Sequence, residues 1–234
     1  LIVCGAGSGL GRAIAISGAR SGYALILVGR NGDELEKTVE LLDPSNKEIQ
    51  AIACDLSNEV ATSELFKKLD LILKQPRALI NCVGTWMGRK SFLDVKASEV
   101  RDSFDLNCMT AVNPCLETLK RWAVFKRPLT IVNVGATSSL TARAGVLSFA
   151  IGKGSLRFLS QSLAREFGPQ GVHVSHIVID GLLDNPRTRR LSQGMPEASF
   201  MDQSKVADTI FHLINQDKSS WTFELDLRPY GETF

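Results

Sequence analysis

The sequence predicts a single α/β domain built on a doubly wound parallel sheet. Short runs rich in Ile, Val and Leu alternate with longer amphipathic runs along the whole chain. Most of the apolar runs lack strict polar–apolar alternation, which is typical of strands buried on both faces of a parallel sheet. Repeated strand–helix–strand units with right-handed crossovers build such a sheet. No linker, repeat or shift in composition divides residues 1–234, so we expect one domain.

The predicted elements follow one another in a regular order. The strands are expected at Leu1–Cys4, Ala24–Val28, Ile49–Ala53, Ala78–Asn81, Leu129–Val134, Val172–Val178 and Thr222–Leu225. The helices are expected at Arg12–Ser21, Gly32–Leu42, Glu59–Leu73, Ala97–Arg121, Ser148–Phe167 and Ser204–Asn215. Asn31, and either Ser57 or Asn58, are helix-capping residue types and predict two helix starts. Because the chain opens inside the first strand, we expect the natural protein to begin upstream.

Two segments near the C-terminus stand apart from this alternation. Residues 182–202 contain Pro186, Gly194 and Pro196 between the sixth strand and the last long helix, which predicts a loop or substrate lid. Trp221–Pro229 alternates apolar and polar residues, which indicates a half-exposed strand near a sheet edge or a subunit contact.

The composition excludes several classes of function. Lys and Arg number 27 against 25 Asp and Glu, a net charge of +2, and aromatic residues are 7% of the chain. No basic arm suggests nucleic-acid binding, and no run approaches the roughly 18 apolar residues of a membrane span. Five scattered cysteines and three histidines show no metal-ligand spacing. We expect reduced thiols, no metal and a cytoplasmic location.

A glycine-rich loop directly follows the first predicted strand and precedes the first predicted helix. Glycines permit positive φ angles, let the backbone approach a pyrophosphate and let the helix pack closely on the strand. The helix N-terminus adds free N–H groups and a positive dipole end. The loop therefore predicts a dinucleotide-binding site of the Rossmann type, formed by Gly5, Gly7, Ser8, Gly9, Leu10 and Gly11.

The spacing of Gly5, Gly9 and Gly11 follows GxxxGxG, which resembles the glycine motif of the short-chain dehydrogenase/reductase family. Cys4 stands where that family usually has Thr. The resemblance extends over nearly the whole chain. It implies an NAD(P)-dependent oxidoreductase acting on an alcohol/carbonyl pair of a small-molecule substrate. It also implies homodimers or homotetramers formed through two long helices, which match Ala97–Arg121 and Ser148–Phe167.

The resemblance implies further cofactor contacts at the ends of later strands. Asp55, followed by Leu56, resembles the family's acidic residue that meets the adenine ring. The run 81–84 resembles the family's Asn-Asn-Ala-Gly motif, with Cys82 in place of the second Asn. Residues 180–181 stand where the family usually has Pro-Gly. The implied contacts are Asp55, Leu56, Asn81, Val83, Gly84, Lys153, Asp180 and Gly181.

The end of the second strand favours NADP over NAD. An NAD-dependent enzyme of this fold usually places Asp or Glu there, to bond the ribose 2′-OH. Here the strand is followed by Arg30 and Asn31, and no carboxylate occurs until Asp33. Arg30 can pair bidentately with a 2′-phosphate. We therefore expect NADP as the cofactor, with NAD as the alternative.

The catalytic positions depart from the family pattern. The family has Tyr and Lys four residues apart on one helix face, with a Ser about thirteen residues before the Tyr. Lys153 is present here, but Phe149 stands at the Tyr position and Ala136 at the Ser position. Asn107 matches the family's Asn of the proton relay. Efficient carbonyl reduction by the usual mechanism is therefore not expected.

Several groups are candidates for the missing proton donor. They are the hydroxyl of Thr137 or Ser139, the thiol of Cys82, the carboxylate of Asp180 or Asp184, and a water molecule held by Asn107 and Lys153. Two functions stay open. The protein is either an oxidoreductase with a non-standard proton donor, or an NADP-binding or scaffold subunit that has lost the family's chemistry.

Overall fold

The computed structural model describes residues 1–42, 48–72 and 75–232. Its strands are β1 (Ile2–Cys4), β2 (Leu25–Gly29), β3 (Ile49–Ala53), β4 (Ala78–Asn81), β5 (Leu129–Val134), β6 (Val172–Ile179), β7 (Leu182–Leu183), β8 (Phe200–Met201) and β9 (Glu224–Leu227). Its helices are α1 (Gly9–Arg20), α2 (Gly32–Val39), α3 (Glu59–Leu69), α4 (Ala97–Phe104), α5 (Thr110–Phe125), α6 (Leu147–Phe167), α7 (Pro186–Leu191) and α8 (Gln203–Ile214). Leu73, where the predicted helix Glu59–Leu73 ends, lies outside the described ranges. Residue 234, the end of the predicted domain, also lies outside them.

Seven strands form one sheet in the order β3-β2-β1-β4-β5-β6-β9. Every neighbouring pair is parallel, from Ile2 beside Leu79 in the centre to Ile177 beside Leu225 at the edge. The chain builds outward from β1 to β3 and then returns to the centre as β4. This confirms the predicted single α/β domain with a Rossmann-type parallel sheet, and it places the switch in winding direction between β1 and β4.

Helices cover both faces of the sheet, and each face has its own apolar core. On one face, Ile14 of α1 and Ile210 of α8 pack with Val3 of the sheet. On the other face, Phe66 of α3 and Trp122 of α5 are fully buried in a second cluster. The central strands are buried along their whole length, because helices cover both of their faces.

The structure corrects the predicted course of the helix at Ala97–Arg121. It is divided into α4 and α5 by a π-helical turn at Asp105–Met109. Pro114 lies inside α5 and has no N–H to donate, so the regular hydrogen-bond ladder is already broken next to this turn. The turn carries Asn107 into the interior, where the residue is fully buried.

Two other boundaries differ for local reasons. The helix expected from Arg12 begins at Gly9, because the glycines form its first turn. The strand expected at Thr222–Leu225 begins at Glu224 and is the edge strand β9, paired with β6. The side chain of Gln216 holds Thr222 through two hydrogen bonds, which delays the start of the ladder.

Residues 182–202 have more structure than the predicted loop. β7 and β8 form a two-stranded parallel ribbon, and the short helix α7 lies between them. Arg189 binds Asp184 with Nε at 2.7 Å and Glu197 with Nη1 at 2.6 Å, so one guanidinium ties the two ends of the segment together. Its role as a substrate lid stays a prediction.

All five cysteines are free thiols. Within the described ranges, no helix combines the length and the apolar character needed to cross a membrane. The long helices expected to mediate association expose apolar side chains, among them Leu116 and Phe158. Association through them stays a prediction.

Candidate active site

A cleft of about 1230 Å³ opens at the carboxyl ends of the central strands. It spans the point between β1 and β4 where the winding direction changes, which is where open α/β sheets bind ligands. The loops after β1, β2 and β3 line what we call the first half of the cleft. The loops after β4, β5 and β6 line the second half. The two halves differ in shape and in charge.

The glycine loop forms the floor of the first half. Gly5 and Gly9 have φ angles of +87° and +58°, in the left-handed region that favours glycine. A Cβ on Gly11 would lie 2.1 Å from the carbonyl oxygen of Gly5, so α1 packs directly on the loop. The same loop lines the cleft with Gly7, Ser8 and Leu10.

The N-terminus of α1 is left open toward the cleft. The N-cap residue Ser8 makes no side-chain capping bond, and the first turn carries no acidic residue. The first N–H groups of a helix have no partner within the helix and attract anions. The loop therefore combines a cradle that a Cβ would fill with open donors, and it fits a pyrophosphate.

The cationic side chains near the end of β2 differ in whether they are paired with a carboxylate. Arg12 Nη2 pairs with Glu34 Oε2 at 3.1 Å, and Lys37 Nζ binds the other carboxylate oxygen at 2.6 Å. The hydrogen bond from Lys37, with help from Arg12, lowers the pKa of Glu34. Arg30 is exposed in the same wall and pairs with no carboxylate among the described residues.

Asp55 and Leu56 complete the first half. Asp55 Oδ1 accepts hydrogen bonds from the backbone N–H of Ser57 at 3.0 Å and from its hydroxyl at 2.7 Å. The Leu56 side chain is buried, and its carbonyl oxygen accepts a bond from Asn113 at 2.9 Å. Both residues line the cleft, as the expected contacts of an adenine ring would.

Asn81 is buried at the end of β4, and its expected cofactor contact stays a prediction. Its Nδ2 donates to Asn133 Oδ1 at 2.7 Å inside the sheet. Asn133 in turn donates to Ser160 of α6 at 2.9 Å, so the two amides connect β4 and β5 to that helix. The following residues do reach the cleft, and they are Cys82, Val83 and Gly84.

Lys153 enters the second half from α6. Its Nζ donates to the carbonyl oxygens of Val83 at 3.2 Å and Val134 at 3.0 Å, at the ends of β4 and β5. The side chain is only 4% exposed, and burial lowers the pKa of its ammonium group to about 8. An ammonium group has three donors, so one remains for a group in the cleft.

Asn107 is buried next to this region, and its side chain bonds the backbone of the loop after β4. Its Oδ1 accepts from the backbone N–H of Thr85 at 2.9 Å, and its Nδ2 donates to the carbonyl oxygens of Thr85 and Ser103. These bonds show that Asn107 holds the loop after β4, and its expected catalytic role stays a prediction.

The hydroxyl groups after β5 are not all available. Ser139 is buried outside the cleft wall, and its Oγ accepts from the backbone N–H of Ala136 at 3.1 Å. Thr137 lines the cleft but donates to Asp180 Oδ1 at 2.5 Å. Ser138 also lines the cleft, and its hydroxyl has no bond within the described residues.

The carboxylate of Asp180 is bonded to other protein groups, whereas Gly181 lines the cleft. The second carboxylate oxygen of Asp180 pairs with Arg228 Nη2 at 3.2 Å. A Cβ on Gly181 would lie 2.5 Å from Cδ of Pro229, so glycine permits close packing there. The carboxylate of Asp180 thus bonds protein groups, and the expected cofactor contact of this residue stays a prediction.

Phe149 lies one helical turn before Lys153, and both side chains line the cleft. Its ring packs edge-on against Trp86, with the ring centroids 5.1 Å apart and the planes at 83°. No titratable group therefore stands beside Lys153 on this turn of α6. The nearby Cys82 is a poor proton donor, because burial raises the pKa of its thiol to about 12.

Sequence reasoning missed three cleft residues after β4 and β5. Trp86, Arg89 and Arg143 all line the second half. No glycine pattern or capping signal marks them, since they come from irregular loops that only the fold brings together. An arginine followed two residues later by a glycine, as at Arg143 and Gly145, is too common a pattern to indicate a site.

The packing of the glycine loop makes a direct prediction. Gly11→Ala should lower the free energy of unfolding by about 3 kcal/mol or more, because its methyl group overlaps backbone that cannot move without displacing α1. Gly154→Ala is the control: nothing lies within 4 Å of its Cβ position in α6, and a gain of about 0.5–1 kcal/mol is expected. Urea unfolding measures both. Equal stability of the two variants would contradict the described packing.

The comparisons with known proteins agree with this geometry. Residues 1–194 match the short chain dehydrogenase family. The 3-oxoacyl-(acyl-carrier-protein) reductase of Mus musculus is 27% identical over 91% of this chain and 89% of its own. A short-chain dehydrogenase structure from Rhodopseudomonas palustris is 28% identical, with a TM-score of 0.82 over 98% of this chain and 97% of that one.

A second structure extends the likeness at lower identity. A metagenomic short-chain oxidoreductase in complex with NADP is 22% identical, with a TM-score of 0.82 over 97% of this chain and 96% of that one. At this identity it supports the fold alone. The family match covers most of the chain and includes the glycine loop and Lys153. The chain belongs to the short-chain dehydrogenase family of NAD(P)-dependent oxidoreductases.

Proposed function

We propose that this protein reduces or oxidises an alcohol/carbonyl pair with NADP, and that Lys153 is its proton donor and acceptor. In this proposal Phe149 occupies the place of the family's tyrosine and Ala136 that of its serine. One observation carries the proposal. Lys153 is a buried cation with a lowered pKa, it is held by two carbonyl oxygens, and it keeps one N–H for the cleft.

The other candidate donors are less suitable. The Thr137 hydroxyl is committed to Asp180, and Asp180 to Arg228. Asp184 is paired with Arg189 and does not line the cleft. The thiol of Cys82 holds its proton too tightly, since its pKa is about 12. An acid whose pKa lies near the working pH transfers a proton most effectively, which favours Lys153.

The residues of the cleft fit a dinucleotide. The glycine loop and the N-terminus of α1 would hold the pyrophosphate, Asp55 and Leu56 the adenine, and Val83, Gly84, Lys153 and Gly181 the nicotinamide end. When bound, the nicotinamide ring supplies or accepts a hydride. Lys153 passes a proton to the substrate oxygen, directly or through a water molecule, and takes another from solvent. Ser138 is placed in the same wall and can hydrogen-bond that oxygen.

A preference for NADP is supported by the state of the charges after β2. Among the carboxylates that line this wall, Glu34 is the one closest in sequence to Arg30. Its charge is already paired with Arg12 and Lys37. Arg30 has no side-chain partner in the described ranges and can bind a 2′-phosphate bidentately.

Titration of the protein with NADPH and NADH, followed by cofactor fluorescence, tests the proposed cofactor. NADPH should bind more tightly, and Arg30→Ala should weaken NADPH by about 10-fold while changing NADH little, because a charge-assisted bidentate pair is lost. Arg20→Ala, at the exposed end of α1, is the control. Unchanged NADPH affinity in Arg30→Ala would refute the assignment. Binding of neither cofactor by folded protein would favour a scaffold subunit.

A further inference from the structure

The charges that line the cleft are divided between its two halves. The lining carboxylates among the described residues are Glu34 and Asp55, which follow β2 and β3 in the first half. The second half contains Arg89 after β4, Arg143 after β5 and Arg187 after β6. No described carboxylate lines the second half. The half that faces the substrate therefore carries an excess of positive charge.

The side chains of these three arginines have no partner in the part of the chain that the structure describes. None of the three guanidinium groups forms a hydrogen bond or ion pair among the described residues, and each residue is exposed. Asp184 and Glu197 of the neighbouring segment 182–202 are already used, because Arg189 binds both, and Asp202 caps α8 through the backbone N–H of Ser204. An arginine that serves only solubility does not need to face a cleft. Three that converge on one cleft without carboxylates make a site for an anion.

Backbone contacts bring two of the arginines together. The backbone N–H of Lys90 donates to the carbonyl oxygen of Gly145 at 2.9 Å, which joins the loop after β4 to the loop after β5. Cβ of Arg89 lies 3.6 Å from the point where a side chain on Gly145 would begin. Arg89 and Arg143 therefore leave from neighbouring stretches of backbone. Arg187 is presented separately by α7.

The second half also offers apolar surface beside these arginines. Trp86 is 40% exposed and packs against Phe149, and Leu191 of α7 lines the same space. Aromatic and aliphatic walls of this kind bind the carbon skeleton of a ligand, and a few charged groups fix its orientation. The arrangement suits a molecule with an apolar body and one charged end.

We propose that the substrate is an anionic carbonyl compound, or the corresponding alcohol, whose carboxylate or phosphate binds Arg89 and Arg143 and is approached by Arg187. The inference rests on the proposed function and specifies its substrate class. The apolar body lies on Trp86 and Phe149, and the reacting oxygen is directed toward Lys153. Carboxylate and phosphate share the same bidentate chemistry with arginine, so the test includes both.

Matched pairs of carbonyl compounds test the proposal by calorimetry. The carboxylate pairs are levulinate with methyl levulinate and benzoylformate with methyl benzoylformate, and the phosphate pair is dihydroxyacetone phosphate with dihydroxyacetone. The anionic member of at least one pair should bind about 10-fold more tightly than the neutral one, with an advantage that shrinks as salt is added. If the carboxylate pairs show the preference for the anionic member, the charged group of the substrate is a carboxylate. If the phosphate pair shows it, the charged group is a phosphate.

The variants Arg89→Gln and Arg143→Gln assign the binding to the proposed residues. Each should remove most of the preference for the anionic member, and the double variant should abolish it. Arg190→Gln is the matched control, since Arg190 is an exposed arginine of α7 outside the cleft wall. NADPH affinity of all variants is measured in parallel and should not change.

Each probe is titrated with and without NADPH, so binding is tested even if the cofactor assignment or the chemistry fails. Loss of NADPH binding or of turnover counts against the proposed function alone. Equal binding of both members of every pair overturns the anionic substrate. So does a preference that survives in the Arg89→Gln, Arg143→Gln double variant, or the absence of binding by every anionic probe at millimolar concentration.

Discussion

Lys153→Met is expected to lower the rate of NADPH-dependent carbonyl reduction by about 10²–10⁴-fold, the range typical of a lost general acid. The ammonium group of Lys153 is a titratable donor in the second half. It is buried, and it lies between the ends of β4 and β5. Methionine retains much of the length and volume of the side chain but holds no exchangeable proton. The rate is measured with saturating NADPH, so that a weaker cofactor affinity does not enter.

The pH dependence of the unmodified protein gives the same test without a substitution. Burial lowers the pKa of Lys153 from its ordinary 10.5 to about 8. Carbonyl reduction needs the protonated form, so its rate should fall as the pH rises through about 8. Alcohol oxidation needs the neutral amine and should rise over the same interval. A profile whose inflection lies near 10.5 would show that burial does not tune this group.

Two controls separate a catalytic from a structural effect of Lys153→Met. Lys205→Met changes an exposed lysine of α8 and should leave the rate unchanged. Urea unfolding of Lys153→Met shows whether the carbonyl oxygens of Val83 and Val134, now without their donor, destabilise the sheet ends. A folded Lys153→Met protein that keeps the wild-type rate would exclude Lys153 as the proton donor.

The combined change of Ala136→Ser and Phe149→Tyr is expected to raise carbonyl reduction by about 10²-fold, since it adds a positioned acid and a hydrogen-bond donor for the reacting oxygen. Phe149 and Lys153 lie one turn apart and both line the cleft, so the new hydroxyl stands beside a cation. Ala136 lines the cleft at the end of β5. Phe149→Tyr alone should gain little, because Ala136 leaves the oxygen unsupported.

The double variant is compared with Phe158→Tyr, which adds the same hydroxyl to an exposed position of α6. That control should leave kcat unchanged. If Phe149→Tyr alone gives the full gain, the serine position does not limit the reaction. If the double variant gives none, the cleft no longer aligns a substrate with Lys153, and the protein is better explained as a cofactor-binding subunit.

The sheet and its ligand loop could be predicted from the sequence because both depend on local signals. Strands such as Leu129–Val134 are short runs rich in Ile, Val and Leu, and the bounds of this one agree with the structure to the residue. The cap at Asn31 is equally local, since its side chain accepts a bond from the backbone N–H of Glu34 at 3.3 Å. The glycine loop is recognisable because positive φ angles and close packing leave almost no alternative to glycine.

The site residues divide according to how far their partners lie along the chain. Lys153 and Phe149 share a helix face by spacing alone, so their joint exposure to the cleft was predictable. Asn81 and Asp180 follow the pattern of positions at the right strand ends, but the groups that bind their side chains are remote in sequence. The Asp180 carboxylate, for example, is bound by Arg228 from beyond the last strand. Ser139 instead bonds the backbone of nearby Ala136. A motif cannot show whether a polar group bonds a ligand or another part of the protein.

The sequence by itself determined the fold class, the dinucleotide loop and the presence of Lys153 without its usual tyrosine, because these depend on periodicity and short spacings. Only the tertiary structure decided which groups are free to act. It buried Lys153 between two strand ends, and it used Glu34 and Asp180 in ion pairs within the protein. It also left the side chains of Arg89 and Arg143 in one wall of the cleft without a partner among the described residues. Burial and pairing are properties of contacts between distant segments, and these contacts exist only once the chain has folded.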